Sequence, residues 1–281
     1  MGNSTFVVAQ TTYDRLRNIR LQADQEGGSD GAFAHSEGNR LSYVTAAAET
    51  RAQYAQFLGT LCDAVKADCL ISPCPAASEL EPKRREELVE VMGRHNLDSV
   101  LLGAQAGAAV WTDDMFLGLI GRMDFTAPRV WTQAVLFVLR QEGALSQGEY
   151  DQAVARLVGW HYQGVLWNAE TMVAAAEVAD WRMDRWPASE VVRCLGEDAV
   201  GAGDRLEAAV GAIRAAWRME VPLQHKQALV FAVLGGLGSL RLARRLYQLV
   251  PKRFSVDVFS ADDVCACIAY WLNNPVALVR S

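Results

Sequence analysis

Residues 95–114 read HNLDSVLLGAQAGAAVWTDD, and this stretch decides the fold that the sequence predicts. It predicts a helix over 97–105 with Asp98 at its start, followed by a buried strand over 108–112. That strand delivers Thr112, Asp113 and Asp114 at its carboxyl end. Ligands of open α/β sheets bind just beyond the carboxyl ends of the strands. We therefore expect the carboxylates of Asp98, Asp113 and Asp114 to converge at one edge of a sheet.

Two interpretations fit these three aspartates, and spacing alone favours the simpler one. Carboxylates gathered closely repel one another, and a hard divalent cation such as Mg²⁺ or Mn²⁺ relieves that repulsion. In this interpretation the Thr112 hydroxyl orients a carboxylate or a bound water. In the simpler interpretation Asp98 caps a helix, and Thr112–Asp114 form an ordinary turn from a strand to a helix.

Outward from this stretch, strands and helices alternate over the first half of the chain. Short strands are predicted at 6–9, 69–71 and 129–131, and Glu81-Pro82 predicts the start of a helix. A longer amphipathic helix is predicted over 43–66, and the Gly- and Ser-rich residues 25–40 predict a loop. This alternation predicts a parallel sheet with helices on both faces, an α/β fold of three layers.

After about Ser146 the pattern changes to helix after helix. Helices are predicted over 147–161, 168–181, 188–196, 202–219, 223–236, 238–249 and 260–272. Only loose pairs of helices recur, which favours an irregular bundle over a repeat solenoid. We predict an α/β domain over 1–145 and an all-helical domain over 146–281.

The composition is that of a folded protein, with 281 residues of which 51% are hydrophobic and 21% charged. The net charge of −6 lacks the strongly basic field of a non-specific nucleic-acid binder, so any contact with nucleic acid has to be local or metal-assisted. No apolar run is long enough to cross a bilayer and no secretion signal begins the chain, which predicts a cytoplasmic location. The six cysteines contain no C-x-x-C pair and are predicted to be reduced structural thiols.

Two groups of arginines lie beside aromatic residues in the helical half. Groups of this kind can stack bases and hold phosphates. A helix with a solvated basic face is the simpler interpretation and is favoured. The first group comprises Trp181, Arg182, Arg185 and Trp186, and the second comprises Arg241, Arg244, Arg245 and Tyr247.

The segment 95–117 resembles the second acidic half of PIN-like nuclease domains. In that family an Asp opens a helix of small residues, and a strand then ends in Thr-x-Asp or Asp-Asp. The segments 128–133 and 142–146 are similar to the family's closing strand and helix. The resemblance covers about residues 5–145 and implies a three-layer parallel sheet.

By this resemblance, Asp98 matches the family's third acidic position, and Asp114 matches the Asp of Thr-x-Asp with Asp113 beside it. Residues 7–16 look like the second strand and the helix after it, where Asp14 matches an acidic position usually held by Glu. An ordinary first-turn Asp, favoured by the helix dipole, is the alternative for Asp14. The resemblance implies that these four aspartates hold Mg²⁺ or Mn²⁺ and that the protein hydrolyses phosphodiesters of RNA.

The sequence departs from the family's pattern at its beginning. PIN-like domains start with a strand that ends in the first catalytic Asp, and this chain begins just after the place where that strand should be. We expect that the chain is a fragment of a longer protein, that the site lacks one acid, or that another segment supplies this acid. A sheet without this strand would expose an edge, which a protein partner, a second copy or the missing N-terminal segment would cover. The alternative function is a catalytically inactive PIN-like binding or regulatory module that acts through its helical region.

Overall fold

The computed structural model describes residues 5–26, 31–37, 40–105, 107–162, 164–196, 201–254 and 258–274. The chain divides into two compact units, Met1–Trp131 and Thr132–Ser281. The domain boundary predicted after residue 145 stays a prediction, because compactness alone defines these units. None of the helices in the described ranges is both long and apolar enough to span a membrane.

The described residues of the first unit contain three pairs of strands. They are β1 (Val7–Ala9), β2 (Gly31–Glu37), β3 (Arg40–Ala46), β4 (Leu70–Ser72), β5 (Val110–Trp111) and β6 (Arg129–Val130). Strands β1 and β4 are parallel, as are β5 and β6, whereas β2 and β3 form an antiparallel hairpin. The rings of Phe6 and Trp111 lie 5.5 Å apart between centroids, which places the start of β1 next to β5. Parallel pairing is confirmed for two short pairs, but a continuous three-layer sheet is not seen in the described residues.

Within the ranges given above, six helices connect these strands: α1 (Gln10–Glu26), α2 (Ala48–Asp68), α3 (Ala76–Glu79), α4 (Pro82–Met92), α5 (Arg94–Gly103) and α6 (Met115–Phe125). Pro82 begins α4 as predicted, and the Glu81 carboxylate caps it by accepting from the amides of Lys83 and Arg84. Gly93, with a φ of 80°, separates α4 from α5. Apolar side chains of α4, α5, β5 and α6 pack together in one core, which includes Leu88, Leu97, Val100, Val110 and Leu117.

The predicted loop over 25–40 is wrong where the structure describes it. Helix α1 continues to Glu26, and β2 and β3 occupy 31–37 and 40–46, while 27–30 and 38–39 lie outside the described residues. The helix predicted from residue 43 begins at Ala48 instead. Glycine and serine content indicates a loop locally, but each of these strands forms by pairing with the other. The residue types of Tyr43 to Thr45 also favour a strand.

The second unit is built of helices, as the sequence predicts. They are α7 (Thr132–Gln141), α8 (Gln147–Gly159), α9 (Ala169–Val178), α10 (Ala188–Arg193), α11 (Ala202–Trp217), α12 (Leu223–Gly236), α13 (Leu240–Arg253) and α14 (Val258–Asn273), with a 3₁₀ turn at Cys194–Gly196. Capping boxes begin α8, from Ser146 and Glu149, and α9, from Asn168 and Thr171. The core gathers apolar side chains from α8 to α14, including fully buried Met172, Ile213, Leu234 and Ile268.

Candidate active site

The candidate site lies where the parallel strands β1 and β4 end. Strand β1 ends at Ala9 and leads directly into α1, which places Thr11 in the first turn of that helix. Strand β4 ends at Ser72, and the chain then continues through Pro73 to Cys74. Helix α5 packs against both β1 and α1 and brings Asp98 to this point. A residue far along the chain therefore meets the carboxyl end of a parallel pair, the position where α/β folds bind ligands.

Asp98 is the most unusual side chain of this region, because it is a carboxylate that is only 5% exposed. Its Oδ2 accepts a hydrogen bond of 2.7 Å from Thr11 Oγ1. Arg94 Nε lies 4.0 Å from the same oxygen, but the Arg94 side chain is 75% exposed, so its charge stays in water and contributes little. The other oxygen, Oδ1, is buried and has no hydrogen-bond partner in the described part of the chain. A buried carboxylate that lacks a full set of partners carries a desolvation cost.

Two neighbouring titratable groups carry little charge at neutral pH. Burial raises the pKa of the Cys74 thiol, and the negative charge of Asp98 raises it further, so this thiol stays protonated. Burial also lowers the pKa of His95, and the nearby Arg15 guanidinium lowers it further, while Asp98 opposes this change. The Asp98 carboxylate is therefore not neutralised by either neighbour.

A second set of hydrogen bonds fixes α1 against α5. Thr12 Oγ1 donates to the His95 carbonyl over 3.1 Å and lies 3.0 Å from Ser99 Oγ. Ser99 Oγ also donates to the His95 carbonyl, over 2.9 Å. Thr12 directly follows Thr11 and Ser99 directly follows Asp98, so the contact between Thr12 and Ser99 keeps the two helices in the register in which Thr11 meets Asp98.

Asp114 and Thr112 form the turn that follows β5. Asp114 caps α6, since its Oδ1 accepts from the Leu117 amide over 3.0 Å. The Thr112 hydroxyl accepts from the Asp114 amide over 3.1 Å, so in this structure it orients backbone instead of a carboxylate. Arg129 Nε and Nη2 donate to the carbonyls of Thr112 and Asp113 and so pin the turn to β6. The capping interpretation of this turn is confirmed.

The other two predicted roles at helix starts are wrong. Helix α5 begins at Arg94 because Gly93 precedes it, so Asp98 lies in the second turn and does not cap the helix. Helix α1 begins at Gln10, directly after β1, so Asp14 also lies beyond the first turn. Asp14 is exposed and accepts from Gln10 Nε2 over 2.9 Å.

The four predicted metal ligands Asp14, Asp98, Asp113 and Asp114 are not gathered into one cluster. Over the ranges that the structure describes, no three His, Cys, Asp or Glu side chains lie close enough together to hold a metal ion. Asp98 alone combines burial with an unpartnered oxygen. The assignment of all four residues as ligands stays a prediction.

Thr11 is the residue of this site that the sequence did not single out. Its hydroxyl is the closest hydrogen-bond partner of Asp98. A threonine two residues after a strand, with a second one beside it, is the local signal that points to this role. The partner itself, at a separation of 87 residues, leaves no local signal.

A family model described as a PIN domain associated with the TPR-GreAB-C-PIN system matches residues 3–122. No curated protein and no solved structure matches the chain. The matched segment contains β1 to β5 and most of α6, and hence Thr11, Asp98 and Asp114. Residues 3–122 are a PIN-like domain at the N-terminus of this chain.

Proposed function

We propose that this protein is a metal-dependent ribonuclease of the PIN-like type, with Asp98 as the central ligand of Mg²⁺ or Mn²⁺. The observation that carries the proposal is the buried Asp98 Oδ1, which has no hydrogen-bond partner in the described residues. Members of the PIN family are generally nucleases, and residues 3–122 match that family. A cytoplasmic location, where RNA is at hand, is part of the same proposal.

The residues present suit a hard divalent cation. Such cations prefer oxygen ligands, and Asp98 offers one oxygen while Thr11 holds the other. Mg²⁺ commonly keeps several waters and is bound by one or two carboxylates together with substrate phosphates. A site centred on one buried aspartate, with Asp113, Asp114 and Asp14 as the further carboxylates, is therefore chemically reasonable without a preformed cluster of three.

The chemistry divides between the cation and the chain. A cation bound here activates water and stabilises the negative charge that builds up on a phosphodiester during attack. The chain itself keeps Asp98 in place through Thr11, and the raised pKa of Cys74 and the lowered pKa of His95 keep both of these neighbours neutral. The bonds of Thr12 and Ser99 keep α1 and α5 in register around it.

A second candidate is an inactive PIN-like module that binds a protein partner through its helical region. Two observations favour it. The described residues contain no group of three potential metal ligands. The matching family is also defined by its association with a system that contains other domains. In this case Asp98 would have a structural role only, and its substitution would change the stability of the protein but no activity.

Cleavage of single-stranded RNA in the presence of Mn²⁺ separates the two candidates. We expect the wild type to cut, and Asp98→Asn to lose activity by at least about a hundredfold while it keeps its fold. Asp68→Asn is the control: it makes the same substitution at an exposed aspartate of the same unit and should cut RNA like the wild type. Asp114→Asn should also lose activity, with its folded state checked by circular dichroism because Asp114 is a helix cap. Equal activity in the wild type, Asp98→Asn and Asp68→Asn would refute the proposal.

A further inference from the structure

Helix α13 carries the most concentrated positive charge of the described structure. Its fourteen residues contain Arg241, Arg244, Arg245, Lys252 and Arg253 and no acidic residue. The chain as a whole has a net charge of −6, so this concentration opposes the average. An ordinary solvated helix mixes both signs of charge, which makes the composition of α13 unusual.

The basic side chains lie on one side of the helix. With 100° of rotation per residue, Arg241, Arg244, Arg245 and Lys252 fall within an arc of about 100°. Ala243, Leu246 and Val250 are buried on the opposite side. From Arg241 to Lys252 the arc runs about 16 Å along the helix axis.

Four of these five charges have no partner among the residues that the structure describes. Arg253 pairs with Glu207 of α11. Arg241, Arg244, Arg245 and Lys252 are exposed and make no side-chain hydrogen bond or ion pair with any residue that the structure describes. Their charges are therefore available to an external anion.

A cavity opens beside this arc, between α11 and α13. It has a volume of about 300 Å³, and its lining includes the polar side chains of Arg245, Gln248 and Lys252 and the apolar side chains of Leu206 and Leu249. Glu207 is the carboxylate of the lining, and that group is engaged by Arg253. A lining that combines cationic, amide and apolar groups suits a flat polar ring that carries a phosphate. Tyr247, 41% exposed on the same helix, offers a further aromatic face.

We propose that the α13 surface, formed by Arg241, Arg244, Arg245, Gln248 and Lys252 with the adjoining cavity, binds single-stranded RNA. The arc holds consecutive phosphates and the cavity receives one nucleotide. The inference rests on the proposed ribonuclease function for the choice of RNA over an acidic protein segment. Charge complementarity carries the choice of an anionic chain.

Fluorescence anisotropy tests this with the full chain and a labelled oligouridine of about ten nucleotides, in EDTA so that no cleavage occurs. We expect Arg241→Ala/Arg245→Ala to raise the Kd at least tenfold. The slope of log K against log salt should fall by about 1.4, because each lost phosphate contact removes about 0.7. Arg156→Ala/Arg218→Ala removes two exposed arginines of the same unit that do not belong to α13, and it should bind within twofold of the wild type.

The outcomes separate this proposal from the ribonuclease itself. Asp68→Asn, an exposed position of the other unit, should bind RNA like the wild type. If both double variants weaken binding equally, or if the wild type binds an oligoglutamate peptide of equal charge more tightly than the RNA, the α13 proposal is overturned. If binding follows the expectation but no variant or wild type cleaves RNA, the ribonuclease proposal fails while the binding surface stands.

Discussion

Thr11 Oγ1 donates a hydrogen bond of 2.7 Å to Asp98 Oδ2, and the two residues are separated by 87 positions in the sequence. Thr11 belongs to the helix that follows the first strand, and Asp98 belongs to the helix that precedes β5. The bond ties two distant segments together at the end of a parallel strand pair. It also leaves the second oxygen of Asp98 buried without a partner among the described residues.

Removal of the Thr11 hydroxyl should destabilise the protein. In Thr11→Val the Asp98 carboxylate loses its closest donor at nearly constant side-chain volume, and we expect the free energy of unfolding to fall by about 1–3 kcal/mol. Thr11→Ser keeps the hydroxyl and should cost clearly less. Urea denaturation measures both changes. In the Asp98→Asn background the Thr11→Val cost should shrink, because contacting residues couple; equal costs in both backgrounds would show that the bond is unimportant.

Two adjacent glycines near the end of α12 should respond in opposite directions to alanine. A Cβ at Gly236 would lie 2.7 Å from Val192 Cγ1 and still closer to the Val192 carbonyl, so Gly236→Ala should cost about 1–3 kcal/mol. A Cβ at Gly235 meets nothing within 4 Å in the described structure, and Gly235→Ala should gain up to about 1 kcal/mol from helix propensity. Thermal unfolding followed by circular dichroism measures both variants. Equal effects would mean that α12 does not pack on α10 in the way described.

The buried Asp151 should make the stability of the protein depend on pH. Burial raises the pKa of this carboxyl, Glu170 adds to that rise, and the hydrogen bond from Gln147 opposes it. Because the pKa is higher in the folded state, the folded state binds more protons in this range, and stability falls as the pH rises through it. Asp151→Asn cannot titrate, so it should be more stable than the wild type at pH 7.

The advantage of Asp151→Asn should disappear below the ordinary Asp pKa of about 3.9, where both side chains are neutral. Unfolding free energies measured by denaturant titration from about pH 3 to about pH 8 check this trend. Asp68→Asn, at an exposed position, serves as the control and should follow the wild-type curve. An advantage of Asp151→Asn that grows toward acid pH would contradict the assigned burial.

The sequence predicted those features that depend on neighbouring residues. Pro82 at the start of α4, the Asp114 turn after β5 and the run of helices after the first unit were all predictable, because caps, prolines and apolar spacing act locally. The hairpin of β2 and β3 was not predicted because each strand is stabilised by its hydrogen-bonded pairing with the other. The true start of α5 was missed because it depends on the backbone conformation of Gly93.

The candidate site was only half predictable for the same reason. The sequence predicts Asp98 as a site residue because it precedes a strand that leads to Asp113 and Asp114. Its burial, its bond to Thr11 and its single unpartnered oxygen arise from the packing of α1 against α5. Contacts between residues so far apart become visible only when the chain is folded.

The central claim is that Asp98 holds a divalent cation, and isothermal titration calorimetry with Mn²⁺ tests it most directly. We expect the wild type and Asp68→Asn to bind Mn²⁺ with equal affinity and Asp98→Asn to bind at least about tenfold more weakly, since the amide removes the charge that attracts a hard cation. Circular dichroism confirms that each variant is folded. If folded Asp98→Asn binds Mn²⁺ as tightly as the wild type, or if the wild type binds none, the claim is wrong.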